Sequence, residues 1–212
     1  MNFSLIVCTY MRPKALLTLL NSVKKQSLYP NEIIIIDGST DTQTQDMLTN
    51  ELFDNLKYYL VDERHRGLTK QRNFGISKVS SDMDIVCFLD DDVILELDYF
   101  EKLLETYKIY PQALGIGGYI SNEVNWKFKE GNEISKINEF YYDGWKRKDG
   151  SRFVLRKRLG LDSDCAPGFS PLYSHGRSVS FLPPSDSIYE VEQLMGGVSS
   201  FKKEVLNGNF SP

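Results

Sequence analysis

Three consecutive aspartates, residues 90–92, follow a strongly apolar run at 84–89. Adjacent carboxylates repel one another, and such a cluster is costly unless a cation or hydrogen-bond donors compensate it. In an extended segment Asp90 and Asp92 point the same way and can share a target. Mg²⁺ and Mn²⁺ prefer such oxygens and complete their shells with phosphate oxygens and water. The triplet therefore predicts a divalent-cation site at Asp92 and Asp90; the alternative is an acidic cap for the helix that follows.

Polar residues also follow two earlier apolar runs. Thr9 and Tyr10 lie at the end of the run at 3–9, and Asp37 follows the run at 32–36. In open parallel sheets, ligands bind at the carboxyl ends of the strands, so we expect these residues and the aspartate triplet to converge on one crevice. Asp37 is either a turn-forming aspartate or an acceptor for a base N–H or a ribose hydroxyl. Its expected position opposite Thr9 favours the second interpretation.

Arg72 is a further candidate, within the segment at 70–75. An arginine on a predicted helix is commonly a solvated surface residue, and that alternative stays open here. However, Asn73 and Gly75 interrupt the helical pattern, which indicates that backbone or a ligand approaches closely at this point.

The elements that must position these residues alternate between strand and helix. Predicted strands lie at 3–9, 32–36, 58–61, 84–89 and 113–120, with predicted helices from 13, at 68–79 and at 98–110. The strands are apolar on both faces, and helical patterns separate them. This rhythm predicts an α/β fold with a mainly parallel sheet flanked by helices.

The pattern changes after residue 120. Residues 121–187 lose clean periodicity and contain two basic clusters, at 146–148 and 156–158, so they are predicted to form an insertion or long loop region. The remaining segment, 188–212, is predicted to hold a strand and then a helix from Ser200. We expect one structural domain overall. The insertion could rest on an anionic membrane or bind a lipid-linked acceptor, and we favour the alternative of a solvated basic loop.

Composition narrows the functional class. A net charge of −4 disfavours a nucleic-acid partner, which would normally require a basic surface. No apolar run reaches the roughly 18 residues of a spanning helix, and no signal peptide is recognisable. The odd number of cysteines, three, argues against a disulfide framework and favours reduced thiols in a cytoplasmic protein.

Five segments, in this order and spacing, resemble the family 2 glycosyltransferases of GT-A fold, which have a Rossmann-like nucleotide-sugar-binding architecture. They are residues 7–13, 35–41, 72–75, 88–92 and 196–202. The resemblance covers residues 1–120 and resumes near 190. It implies that 1–120 form the nucleotide-sugar-binding half, that 121–187 face the acceptor or a membrane, and that 188–212 begin the acceptor-side half.

The resemblance also implies roles for individual residues. Thr9 and Asp37 would hold the nucleotide base and ribose, with Tyr10 and Arg12 beside that pocket and Arg72 approaching the base or diphosphate. The aspartate triplet matches the family's DXD motif. Asp90 would lie at the donor and metal, Asp91 would contact the ribose, and Asp92 would meet Mn²⁺ or Mg²⁺. Gly196 and Gly197 would line the acceptor side.

A metal bridging the two phosphates would neutralise the leaving group, and a positioned carboxylate would deprotonate the acceptor hydroxyl. The family resemblance implies inversion at the anomeric carbon. In the family the base follows the Gly-Gly pair and the next helix, and no acidic pair occurs after Glu204. We therefore expect the base beyond Pro212, and poor transfer by these 212 residues alone.

The expected partners are a nucleoside-diphosphate sugar and a glycan or lipid-linked acceptor, in surface polysaccharide synthesis at the cell envelope. The expected location is cytoplasmic, with peripheral contact at the inner face of the membrane as an addition. Two alternatives remain: a catalytically inactive nucleotide-sugar-binding domain, and a sugar-phosphate nucleotidyltransferase. The latter needs a glycine-rich phosphate loop after the first strand, which residues 11–14 do not supply.

Overall fold

The computed structural model describes residues 1–122, 124–129, 136–173 and 175–207. The chain divides into two compact units, which are described separately. The first, here called the sheet unit, comprises Met1–Gly118 together with Gly196–Pro212. The second, here called the inserted unit, comprises Tyr119–Met195.

The described strands, in chain order, are β1 (Phe3–Thr9), β2 (Glu32–Asp37), β3 (Leu56–Leu60), β4 (Ile85–Asp90), β5 (Gly115–Gly117), β6 (Lys127–Phe128), β7 (Glu139–Tyr142), β8 (Trp145–Lys148) and β9 (Val198–Lys202). The α-helices are α1 (Pro13–Val23), α2 (Gln43–Asn50), α3 (Leu68–Ile76), α4 (Tyr99–Ile109) and α5 (Ser151–Arg158). Short 3₁₀ helices lie at Glu63–His65, Val179–Phe181 and Lys203–Asn207.

The sheet unit is built on six strands in the order β3-β2-β1-β4-β9-β5. The four strands β3, β2, β1 and β4 run parallel. Strand β9 is antiparallel to both of its neighbours, β4 and β5. The predicted α/β fold with a mainly parallel sheet is therefore confirmed.

The core lies where the central strands are apolar on both faces. Residues 33–36, four isoleucines of β2, are all fully buried. Their branching at Cβ restricts χ1 and suits the pleated sheet better than a helix. Leu16, Leu19 and Leu20 of α1 recur at helical spacing and are fully buried. Each such side chain contributes about 1.5–3 kcal/mol by leaving water.

Three predicted elements differ from the structure. The strand predicted at 113–120 is only Gly115–Gly117, because the Ala113 N–H closes a turn on the Tyr110 carbonyl and residues after Gly118 leave the sheet unit. The strand predicted from 188 is irregular, since the N–H groups of Glu192 and Gln193 donate to the carbonyl of Gly168.

The helix predicted from Ser200 is wrong, because Ser200 lies in the middle of β9. Its small side chain is fully buried, and its hydroxyl oxygen is 2.8 Å from the Ile116 carbonyl oxygen of β5. The strand satisfies the backbone of both β4 and β5, and these pairings prevail over local helical preference.

The inserted unit contains regular structure where the sequence predicted an insertion or loop. Strands β6, β8 and β7 form a three-stranded antiparallel sheet, followed by α5. A buried guanidinium, Arg177, donates to Asp162 at 2.8 Å and to Asp149 at 3.2 Å. It also lies over the Phe140 ring, 4.4 Å from the centroid. Among the described residues no helix is long and apolar enough to cross a membrane.

Candidate functional site

The carboxyl ends of β1, β2 and β4 are neighbours in the sheet. The register pairs Thr9 at the end of β1 with Asp37 at the end of β2. On the other side of β1, Cys8 is paired with Asp90 at the end of β4. The polar residues that the sequence placed after three separate apolar runs therefore lie along one edge of the sheet.

Four of these residues form a group held by charge-assisted hydrogen bonds, here called the carboxylate cluster: Thr9, Arg12, Asp91 and Asp92. The Thr9 hydroxyl donates to Asp91 at 2.7 Å. The Arg12 guanidinium donates to Asp91 at 2.7 Å through Nη1 and to Asp92 at 2.9 Å through Nη2. One arginine thus bridges two adjacent carboxylates, an arrangement that its planar fork of donors permits.

Burial and charge act in opposite directions on Asp91. Burial raises the pKa of Asp91, the Thr9 hydrogen bond and the Arg12 charge lower it, and the neighbouring carboxylates raise it again, with a net upward shift. The pKa of Arg12 is also raised, first by its hydrogen bond to Asp92 and then by the charge of Asp91. Arg12 is therefore the internal counter-ion of two carboxylates that would otherwise repel each other.

Asp37 is fully buried and its carboxylate is bonded by the protein itself. Its Oδ1 accepts from the backbone N–H of Ser39 at 2.8 Å, and its Oδ2 accepts from the hydroxyl of Tyr58 at 2.9 Å. Burial and the bond to Asp37 raise the pKa of Tyr58. These bonds fix the turn after β2, and a base or ribose could reach Asp37 only through an oxygen lone pair that Ser39 and Tyr58 leave open.

Gln71 was not identified by the sequence analysis, although it braces the same strand ends. Its buried side-chain amide donates to the carbonyls of Thr9 at 3.0 Å and Ile36 at 2.9 Å. It thus satisfies backbone groups where the ladder between β1 and β2 ends. The only local signal was a long polar side chain at a helix position facing the sheet, four residues before Gly75.

Arg72 lies on the β4 side of the edge. Its Nη2 donates to Asp90 at 3.2 Å and to the carbonyl of Gly196 at 2.9 Å. A Cβ added to Gly197 would lie 2.4 Å from Oδ2 of Asp90. The two glycines therefore lie beside Asp90, the first aspartate of the triplet, where Arg72 is also bonded.

Tyr10, the remaining predicted residue of the site, is about half exposed.

Among the described residues, no group of three or more His, Cys, Asp or Glu side chains is placed to hold a metal ion. Mg²⁺ and Mn²⁺ at phosphate sites need only one or two carboxylates, with the remaining ligands from phosphate and water. Asp92 has a side chain 54% exposed and uses only Oδ2 in its bond to Arg12. The second oxygen of Asp92 therefore suits one ligand position of a cation that is completed by a diphosphate. Asp90 and Asp92 do not point the same way as the sequence predicted, because a turn follows Asp90 and its carboxylate is bonded to Arg72.

The fold matches that of a solved nucleotide-sugar transferase. A mannosyltransferase from Pyrobaculum calidifontis, in complex with GDP-Man and Mn²⁺, superposes with a TM-score of 0.50 and 18% identity, covering 99% of this chain and 47% of that one. The protein thus has the GT-A architecture, with a mostly parallel sheet between helices.

The sequence model of the glycosyl transferase family 2 matches residues 4–172, and the protein belongs to this family. A glucosyl-dolichyl phosphate glucuronosyltransferase of Haloferax volcanii is 31% identical over 125 residues, 57% of this chain and 38% of that relative. An O-antigen chain rhamnosyltransferase of Salmonella typhimurium is 27% identical over 95 residues, 45% of this chain and 29% of the relative. The matched part of the chain spans less than two fifths of these curated relatives.

Proposed function

We propose that this protein is an inverting glycosyltransferase that moves a sugar from a nucleoside-diphosphate sugar to a glycan or lipid-linked acceptor. The observation that carries the proposal is the carboxylate cluster at the carboxyl ends of β1 and β4. Carboxylates and a guanidinium at that edge can hold a cation and a diphosphate together. Membership of family 2 and the GT-A fold agree with this chemistry.

Each residue of the site has a proposed role. Asp92, with Asp90, would hold Mn²⁺ or Mg²⁺, which when bound supplies Lewis-acid neutralisation of the leaving diphosphate. Asp91 and Thr9 would meet the ribose, and Arg12 would exchange its hydrogen bond to Asp92 for one to a phosphate oxygen. Preorganised charges of this kind stabilise a leaving group without reorganising at the moment of reaction.

The acceptor would approach beside Gly196 and Gly197, where the absence of side chains leaves room for a sugar. The names of the two relatives include a dolichyl phosphate sugar and an O-antigen chain, which supports an acceptor in surface polysaccharide synthesis. We assign no catalytic base among the described residues. Asp90 lies beside the glycines, but its carboxylate already accepts a hydrogen bond from Arg72.

That bond favours a second candidate function, a domain that binds the donor without transferring sugar. The nucleotidyltransferase alternative is less well supported, because the segment between β1 and α1 is Tyr10, Met11 and Arg12 and contains no glycine. Turnover separates the first two candidates. Release of nucleoside diphosphate from the sugar donor, dependent on an added acceptor, would support transfer, whereas binding without release would support the second.

Thermal unfolding with a panel of nucleoside diphosphates, with and without Mn²⁺, tests the donor site. Ligand at about a hundred times its Kd should add roughly 2.7 kcal/mol, a shift on the order of 5–10 °C for a chain of this size. We expect one nucleotide to give a metal-dependent shift that Asp92→Asn abolishes.

The matched control is Asp82→Asn. Asp82 is an exposed aspartate before the start of β4, at the opposite edge of the sheet from Asp92. It should leave the nucleotide shift unchanged. Equal loss of the shift in Asp92→Asn and Asp82→Asn would contradict the donor-site assignment. So would the absence of a shift with every nucleotide.

A further inference from the structure

The inserted unit contains an open cavity of about 710 Å³ that is formed by the end of β8 and one face of α5. From α5 the cavity is lined by Ser151, Val154, Leu155 and Arg158. These positions are spaced i, i+3, i+4 and i+7, so they form one continuous stripe about 10 Å long. The stripe is polar at its start, apolar in the middle and cationic at its end.

Three cations line this cavity, which is here called the α5 cavity: Arg147, Lys148 and Arg158. Its single acidic lining residue, Asp149, is already paired with Lys157 at 2.6 Å and with Arg177 at 3.2 Å. Neither of those partners lines the cavity. The carboxylate therefore does not neutralise the lining cations.

Lys148 and Arg158 are exposed, and neither side chain forms a hydrogen bond or ion pair with any residue in the described part of the chain. Arg147 is different, because it donates to the Ser180 carbonyl at 2.8 Å and lies over the Phe181 ring. The cavity thus combines one anchored guanidinium with two cations that are available to a ligand. Such a surface favours an anion with several oxygens.

The first turn of α5 adds to this preference. The N–H groups of Phe153 and Val154 both donate to the Gly150 carbonyl, and no side chain caps the helix. The N–H of Ser151, at the first position, has no acceptor within the helix. Unsatisfied donors and the positive end of the helix dipole both act in the same sense as Lys148.

We propose that the α5 cavity binds a phosphate ester with an apolar portion. The phosphate would lie against Lys148 and the first turn of α5. The long Arg158 side chain, which leans toward the N-terminal end of the helix as helix side chains do, would supply the second cation. The apolar portion would lie along Val154 and Leu155, the latter with 57% of its surface exposed. The site uses residues of the inserted unit only, and it does not rest on the function proposed for the carboxylate cluster.

Calorimetric titration of the full chain with hexyl phosphate tests the site, with inorganic phosphate and hexanol as partial probes. We expect one molecule of hexyl phosphate to bind per chain, more tightly than either partial probe. The double variant Lys148→Gln/Arg158→Gln should weaken binding on the order of tenfold or more, since charge-assisted bonds are lost. Leu155→Ala should reduce the advantage of hexyl phosphate over inorganic phosphate.

Arg152→Gln is the matched control, because Arg152 lies exposed on α5 and does not line the cavity. It should change the affinity less than twofold, and all variants should keep the wild-type melting temperature. An equal loss in Arg152→Gln would indicate diffuse attraction to basic charge and would overturn the proposal. So would equal binding of inorganic and hexyl phosphate, or no binding of either.

The source of the phosphate is distinguished by vesicles. Phosphatidylcholine vesicles containing phosphatidic acid should retain the protein if the ligand is a lipid, and the double variant should abolish that retention. Binding of hexyl phosphate without vesicle retention would assign the site to a soluble phosphate ester. Both results support the site, and the Asp92→Asn nucleotide experiment stays independent of either.

Discussion

The Arg12 guanidinium lies between Asp91 and Asp92, and no other described Lys, Arg or His side chain forms an ion pair with either carboxylate. A divalent cation bound by Asp92 would compete with it directly. Metal alone must displace a bonded arginine, whereas metal with a diphosphate offers Arg12 new acceptor oxygens. We therefore expect metal and nucleotide to bind jointly.

We expect Arg12→Gln to bind Mn²⁺ alone several-fold more tightly than the wild type, because the competing cation is gone. Its nucleotide affinity in the presence of Mn²⁺ should fall, because the diphosphate loses a donor. Electron paramagnetic resonance of free Mn²⁺ measures the first effect and calorimetry measures the second.

Arg64→Gln is the control for the lost charge, since Arg64 is exposed on a 3₁₀ helix outside the cluster. It should leave both affinities unchanged. Unaltered Mn²⁺ binding in Arg12→Gln would refute the competition.

The sequence identified the polar residues that lie along the carboxyl ends of β1, β2 and β4, but not the side chains that support them. Asp90, Asp91 and Asp92 were recognisable because adjacent carboxylates after a buried strand are unusual. Tyr58 and Gln71 were not, because their partners lie 21 and 62 positions away along the chain. Short-range patterns carry no information about such bonds.

At the scale of elements, α3 packs against β1 through a glycine. A Cβ added to Gly75 would lie 2.8 Å from Cγ2 of Ile6 and 3.3 Å from Cγ1 of Ile36. The sequence predicted a close approach by backbone or ligand at this position. The structure shows that side chains of the sheet approach Gly75. This contact sets the distance between the sheet and α3, the helix that carries Gln71 and Arg72.

We expect Gly75→Ala to lower the free energy of unfolding by about 1–3 kcal/mol, because overpacking shifts α3 or Ile6. Urea denaturation measures the loss. Nucleotide-dependent stabilisation should also fall if α3 moves, since Arg72 moves with it.

A double-mutant cycle with Ile6→Ala separates overpacking from other causes. The alanine at position 6 removes the contacting methyl, so the double variant should lose less stability than the sum of the two single losses. Strict additivity would mean that Gly75 and Ile6 do not limit the packing.

The alternation of strands and helices in the first half of the chain could be predicted, because each element buries its own periodic pattern of apolar residues. The place of β9 could not be predicted. Ser199 and Ser200 carry no strong strand preference, and their burial between β4 and β5 depends on pairing across the sheet. In the same way, the sequence at 121–187 gave no sign that Arg177 is buried against Asp149 and Asp162.

At the scale of the whole molecule, stability depends on pH through a charge far from the carboxylate cluster. Glu32 starts β2, and its buried carboxylate accepts from Lys57 at 2.6 Å and from Ser4 at 2.6 Å. Burial alone would raise the pKa of Glu32, but the bonds from Lys57, Ser4 and Ser80 outweigh it and lower the pKa to about 2.

Because the folded state lowers this pKa, Glu32 stabilises the protein above the unfolded value of about 4.5, and the contribution is lost as pH falls toward about 2. Glu32→Gln should therefore reduce the free energy of unfolding most at pH 7, with the difference from wild type shrinking below pH 4.5. Denaturant unfolding across that range measures it.

Glu51→Gln, at an exposed glutamate after α2, is the reference. Its effect should stay small at every pH. A Glu32→Gln deficit that does not change between neutral and acid pH would contradict the role of ionised Glu32.

The antiparallel strand β9 also has a consequence for how the chain is made. Its first residue, Val198, is 108 positions after Asp90, the last residue of β4 (198 − 90 = 108). At about 5–20 residues per second, a ribosome needs several seconds to tens of seconds to cover that distance. Throughout that interval one edge of the apolar strand β4 is without its native partner, and open edges of this kind recruit other strands. The nascent chain is therefore most prone to aggregation while residues 119–195 are being synthesised, and slower translation of that stretch would lengthen the exposure.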